Sequence, residues 1–149
     1  MKSIIINKKA SFDYEILEKF EAGIVLSGAE IKAVKTGKAN LAGSFAIIRN
    51  NEAYLLNLSL APYQPKNINF AYIPDKTRKL LLHKKQIFYL SSRLKQKNLT
   101  LIPLRMYNKH GLIKIELALA KGKKKFDKRE TIKKREIKRR IDKAKKGQY

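Results

Sequence analysis

Leu99-Thr100-Leu101-Ile102-Pro103-Leu104-Arg105-Met106-Tyr107-Asn108-Lys109-His110-Gly111-Leu112-Ile113-Lys114-Ile115-Glu116-Leu117-Ala118-Leu119-Ala120 is the stretch on which the fold class turns. Two apolar runs, 99–107 and 112–120, flank Asn108-Lys109-His110-Gly111, and in the second run Ile113, Ile115, Leu117 and Leu119 alternate with Lys114 and Glu116. A period of two sends one row of side chains into a core and the other toward solvent, so the stretch predicts an antiparallel hairpin. Pro103 has no N–H, which obliges its strand to present it at an edge or a bulge, or to skip a bond there.

Upstream, residues 44–49 and 53–60 flank the polar turn Asn50-Asn51-Glu52, with Tyr54, Leu56, Leu58 and Leu60 on one face against Asn57 and Ser59, which predicts a second hairpin. Residues 14–26 read as one long strand bent near Gly23. Ser27-Gly28-Ala29-Glu30 fits a capping box and Gly37 a stop, so 28–36 is a short helix. Ile87, Leu90, Ser91 and Leu94 recur at helical spacing within 84–97, the one long helix of the domain. Between them, 61–77 holds Pro62, Pro65 and Pro74 and reads as an excursion. Five strands, largely antiparallel, with flanking short and long helices predict a mainly β fold, an OB-fold-like antiparallel barrel over residues 1–120.

Residues 121–149 are different in kind, with fifteen Lys and Arg against four Asp and Glu, so net +11 of the chain's +23 lies there. Such a density suits a polyanion. Asp127 and Glu130 have N-cap and N3 spacing, and 131–146 contains neither Gly nor Pro, so the segment can become helical. Its apolar face is thin, however: Ile137, Ile141 and Ala144 fall together while Ile132 points elsewhere. So little burial does not offset ordering roughly 20 residues at about 1 to 2 kcal/mol each, and the tail is expected to be disordered when free.

The first 120 residues are basic as well, at net +12. Two basic surfaces favour nucleic acid over a membrane, since no run reaches the roughly 18 to 20 apolar residues of a span. With no cysteine, thiolate chemistry and cysteine zinc sites are excluded. The amino terminus lacks the pattern of a signal peptide, which makes a cytoplasmic location the default. His83 and His110 have no metal-ligand spacing, Gly122-Lys123 is not a P-loop, and the acids are scattered, so no catalytic or cofactor site is expected. Asn7, Lys8, Lys9, Lys32, Lys35, Lys38 and Asn40 bring basic and amide groups together around the first strand and short helix, a plausible phosphate-binding side. Glu30 has two readings of equal weight, helix capping or acceptance from an RNA base amine.

Asn7-Lys8-Lys9-Ala10, 20–26 (Phe-Glu-Ala-Gly-Ile-Val-Leu), Gly28-Ala29-Glu30-Ile31-Lys32, Gly37-Lys38-Ala39-Asn40, Arg78-Lys79-Leu80-Leu81-Leu82, and Gly122-Lys123-Lys124 with Asp127-Lys128-Arg129 occur in this order. The set resembles the SmpB family of SsrA-binding proteins. The resemblance implies an OB-fold barrel that binds the tRNA-like domain of tmRNA and accompanies it, with elongation factor Tu, into the vacant decoding site of a stalled ribosome. It places Asn7, Lys8, Lys9, Glu30, Lys32, Lys38 and Asn40 on the RNA-binding side. Gly122, Lys123, Lys124, Asp127, Lys128 and Arg129 belong, on the same grounds, to a ribosome-facing tail that becomes helical in the empty mRNA channel. Lys76 stands where Arg is usual in such proteins, and Phe12 where His is frequent. A ribosomal or assembly protein and a small nuclease are the rival readings. The first would be present in unstalled ribosomes, and the second needs an acid or metal-ligand cluster.

Overall fold

The structure is a computed structural model and describes residues 3–61, 73–123 and 125–147. Most of the expected 61–77 excursion lies outside these residues. In chain order the elements are β1 (Ser3–Ile6), α1 (Ala10–Asp13), β2 (Tyr14–Ile24), α2 (Gly28–Lys35), β3 (Ala39–Asn40), β4 (Phe45–Arg49), β5 (Glu52–Leu56), β6 (Ser59–Leu60), β7 (Arg78–Leu81), α3 (Lys84–Arg93), β8 (Leu99–Lys109), β9 (Leu112–Gly122) and α4 (Lys125–Gly147).

The expected hairpin of β8 and β9 is the backbone of the sheet. Its turn is tighter than the four residues anticipated: Lys109 pairs with Leu112, leaving His110 (φ 52°) and Gly111 (φ 81°) as a two-residue turn with both centres left-handed. Around it the strands run β2-β7-β5-β4-β8-β9, every pair antiparallel, and β9 pairs again with β2, so six strands close on themselves while β1 adds to β8 as a seventh. The sixth is β7, Arg78–Leu81, which is not among the five strands expected. That helix ends at Arg93 rather than continuing to Lys97. The two-stranded β3–β6 ladder stands apart.

Pro103 is accommodated by a bulge. The β8–β9 register slips between Pro103 and Arg105, so Leu104 is the extra residue and the faces exchange. Ahead of the bulge Leu101 enters the barrel core and beyond it Met106 does, each fully buried. A second slip between Ile16 and Glu18 does the same for β2, sending Phe20, Ala22 and Ile24 inward. The first half of β2 packs elsewhere. Tyr14 and Ile16 join Ala10, Ile102, Ala118 and Ala120 in a smaller apolar layer beneath α1. The change along β9 from Lys114 and Glu116 to Ala118 and Ala120 therefore marks where α1 covers the outer face of the sheet. Small residues let that helix lie close.

The β4–β5 hairpin is as expected, but its turn is Asn50-Asn51 alone (φ 51° and 60°), since Glu52 already pairs with Arg49. The expected inward row, Tyr54-Leu56-Leu58-Leu60, is corrected in its first half. Ala53 and Leu55 are the buried residues of β5, and Asn57 at φ 63° breaks the strand and shifts the phase so that Leu58 and Leu60 turn inward. Each fully buried Leu contributes about 1.5 to 3 kcal/mol, and the barrel interior, where Leu55, Leu58, Leu60, Leu101, Ile115 and Leu117 meet, is the principal source of stability.

Candidate nucleic-acid interface

Asn7 follows β1 and is held by the β8 bulge. Its backbone N–H donates to the Leu104 carbonyl at 2.8 Å and its side-chain Nδ2 to the Pro103 carbonyl at 2.9 Å. Pro103 cannot donate to the ladder, and Asn7 ties down the carbonyls beside it. Fixing Asn7 fixes the two exposed cations that follow it, Lys8 and Lys9. A groove of about 320 Å³ then joins Asn7 and Lys9 to Ser44 and Phe45 at the start of β4. The loop on that side is ordered by Asn40, whose Oδ1 accepts from the Ala42 N–H at 2.9 Å.

Helix α2 lies against β1 and β6 and carries Lys32 and Lys35 in its last turn, where cations complement the helix dipole. The chain leaves it through Gly37 at φ 76° to Lys38, whose carbonyl accepts from the Ala61 N–H at 3.0 Å. Asn7, Lys8, Lys9, Lys32, Lys38 and Asn40 thus come from neighbouring elements of one side of the barrel.

Glu30 is the exception. It completes the expected capping box, its Oε1 accepting from the Ser27 N–H at 2.9 Å while the Ser27 Oγ accepts from the Glu30 N–H at 3.2 Å. The carboxylate also meets Arg78 Nε at 2.6 Å and Lys76 Nζ at 3.4 Å, and the residue is only 3% exposed. Arg78, itself 2% exposed, donates through Nη1 to the carbonyls of Leu58 (2.7 Å) and Lys76 (3.1 Å) and through Nη2 to that of Pro74 (2.9 Å). Burial by itself would raise the Glu30 carboxyl, but the Ser27 N–H, Arg78 and Lys76 together hold it below its ordinary value. The carboxylate is turned into the protein, so base recognition has no open acceptor here.

Arg78 was missed as a site residue. Its signal lay in parity: Arg78 and Leu80 share the buried row of β7, and a cation on an inward row requires a partner. That partner lies 48 residues away, which sequence spacing does not reveal.

The tail meets the barrel at Gly122 and Lys123. β9 runs two residues past the anticipated end at Ala120, so Gly122 pairs with Tyr14. Lys123 is pinned by its N–H to the Asp13 carbonyl (2.9 Å) and by Nζ to the Ser11 carbonyl (2.8 Å). Lys124 lies outside the described residues. Helix α4 begins at Lys125, so Asp127 falls inside the first turn and not at the expected N-cap; Lys128 and Arg129 follow in the same opening stretch, with Arg129 exposed. Ile132, Ile137 and Ile141 are 42%, 54% and 51% exposed, so none of the three is buried against the barrel. Arg135 touches the body. Its guanidinium lies 5.8 Å from the Phe12 ring centre, and its Nη2 donates to Ser11 Oγ at 3.3 Å.

Among the described residues no group of three or more His, Cys, Asp and Glu could hold a metal ion, and no helix is long and apolar enough to cross a membrane.

A closed antiparallel barrel with exposed cations on the neighbouring β1 end and α2 and a basic helix at its end defines a small nucleic-acid-binding barrel protein. The family described as SmpB protein matches residues 4–147. The SsrA-binding protein of Sulfurihydrogenibium sp. (strain YO3AOP1) is 51% identical over 146 residues, covering 98% of this chain and 95% of its own. That of Thermosipho africanus (strain TCF52B) is 52% identical over 143 residues, covering 95% of each. A solved structure described as "tmRNA-SmpB: a journey to the center of the bacterial ribosome" aligns with a TM-score of 0.67 at 45% identity, over 83% of this chain and 87% of that one. The chain belongs to the SmpB family.

Proposed function

We infer that this protein binds the tRNA-like domain of tmRNA and delivers it to stalled ribosomes for trans-translation, its tail occupying the empty decoding centre and mRNA channel. Membership of the SmpB family carries this reading, together with the likeness to the tmRNA–SmpB structure. The physical division supports it. The barrel side with Lys8, Lys9, Lys32, Lys38 and Asn40 takes folded RNA, and Asn7 and Glu30 set the β1 end and α2 so that those cations keep their places. The tail works separately. At 23 residues α4 is about 34 Å long when fully helical, enough to follow a channel, and Gly122, Lys123, Lys124, Asp127, Lys128 and Arg129 form its entry into the ribosome. We propose that barrel and tail are separable units, the tail unfolded away from RNA and helical against it. Elongation factor Tu joins through the aminoacylated tmRNA, the protein performs no catalysis, and it works in the cytoplasm.

Truncation after Lys123 tests the division, because it leaves β9 intact. The shortened protein should keep its affinity for the isolated tRNA-like RNA yet fail to support peptide tagging on stalled ribosomes. Tagging at the full-length rate would remove the tail from the mechanism.

A further inference from the structure

Ser11, on the single turn α1, meets the tail twice. Its Oγ accepts from Arg135 Nη2 at 3.3 Å and its carbonyl from Lys123 Nζ at 2.8 Å. Lys123 leads into α4 and Arg135 lies near the middle of that helix, so the tail touches the barrel at two places around one exposed serine. The Arg135 bond is a weak one as it stands, since a neutral hydroxyl engages one of a guanidinium's five N–H donors, and at a long distance. Lys8 and Lys9 stand three and two residues before Ser11, and the apolar Phe12 directly after it. Cations ahead of a hydroxyl and an apolar side chain behind it suit the acidic cleft of a basophilic serine/threonine kinase. The turn opens at small cost. It is four residues long with only Ala10 buried, and it is closed by backbone bonds from Ala10 to the Asn7 carbonyl (3.3 Å) and from Phe12 and Asp13 to the Lys9 carbonyl (3.1 and 2.9 Å). Lys128 and Arg129 precede Thr131 at the same spacing, but Glu130 would set an acid against the acidic cleft.

We propose that Ser11 is a phosphorylation site whose phosphate latches α4 onto α1 and withholds the tail from the ribosome. The Ser11 Oγ attacks the γ-phosphorus of ATP and gives up its proton, the bond to the bridging oxygen breaks, and ADP leaves. The neutral acceptor becomes a phosphomonoester of charge about −1.5 to −2 near neutral pH. Arg135 then pairs with it as a fork, with Lys123 as a second cation beside it. Bonds of this kind favour the docked helix over the free tail by roughly ten- to a hundredfold, where the unmodified contact contributes little. The consequence for tagging rests on the trans-translation reading, whereas the modification and the latch do not.

Full-length protein purified from its own cells should yield peptides spanning Ser11 with one added phosphoryl group by mass spectrometry. Incubated with ATP and a purified basophilic serine/threonine kinase, wild type should be modified at Ser11 and Ser11→Ala not at all. Modification at Thr131 in place of Ser11, or none in cells under both growth and starvation, overturns the site. Circular dichroism of the phosphorylated protein without RNA should show a gain in helix of up to the 23 residues of α4, and Arg135→Gln phosphorylated to the same extent should show none. No gain in wild type, or an equal gain in both, overturns the latch. Peptide tagging on stalled ribosomes should fall at least tenfold on phosphorylation, while Ser11→Ala exposed to the same kinase keeps the unmodified rate; tagging undiminished by the phosphate overturns the withholding of the tail. Unmodified wild type that supports no tagging would instead bring down the functional reading, and the modification and the gain in helix would stand without it.

Discussion

Arg78 and Arg135 each join a helix to the rest of the chain, yet one is buried in a closed network and the other lies on an open surface. Arg78 meets Glu30, both nearly inaccessible, and its remaining donors reach three carbonyls from two loops. Arg135 offers a ring contact and one long hydrogen bond, on a helix whose three described isoleucines stay largely in solvent. Loss of the first strands a buried charge. Loss of the second exposes a cation to water, where it is at home. The contrast separates a part that must hold one shape before RNA arrives from a part whose shape RNA itself can complete.

The largest effect expected is from Arg78→Ala, which leaves Glu30 buried without its main partner and should cost about 3 to 5 kcal/mol in urea unfolding. A cost below 1 kcal/mol would place the two ends of the comparison on the same footing. Lys134→Pro comes next. It removes one backbone donor in the interior of α4 at about 3 kcal/mol of helix stability, with Lys134→Ala as charge-matched control. The barrel's melting temperature should be unchanged while peptide tagging falls in the Pro variant only. Equal tagging by both would mean that the tail acts as a charged thread.

Glu30→Gln is expected to cost less than Arg78→Ala, about 1.5 to 3 kcal/mol, because Gln can still serve the capping box but gives up the charge-assisted bonds. Since the folded carboxyl lies below its ordinary value of 4.5, its stabilisation is complete above that pH and is lost as the pH falls through the lower folded value. Unfolding measured between neutral and acidic pH should therefore show a flatter acid limb in Glu30→Gln than in wild type. Tight binding of tRNA-like RNA by any refolded Glu30→Gln protein separates positioning from base recognition, which forecasts weakened binding at unchanged stability. Arg135→Ala is the smallest, within about 1 kcal/mol by thermal melting, because an exposed cation–π contact is worth little more.

Much of the barrel was legible because its signals are local. Alternation at Ile113, Ile115, Leu117 and Leu119 requires only a period of two, the pair Asn50-Asn51 tolerates left-handed geometry, and Ser27 and Glu30 cap a helix across three residues. The basic tail was legible from composition alone. Charge density is a property of the chain before it folds.

Tertiary structure decided what depends on residues far apart in sequence. Pro103 required an edge, a bulge or a skipped bond, but only the tertiary structure chooses the bulge and shows Asn7 tending it from 96 residues away. Ala118 and Ala120 are small whether or not α1 lies over them, and the row that set Tyr54 and Leu56 with Leu58 and Leu60 fails in its first half because Asn57 turns the chain. Glu30 stood evenly between a cap and an RNA contact in the sequence. The fold turned it inward, because a carboxylate beside an Arg78 guanidinium enclosed by the carbonyls of Leu58, Pro74 and Lys76 is held by charge and hydrogen bonds that no local spacing encodes.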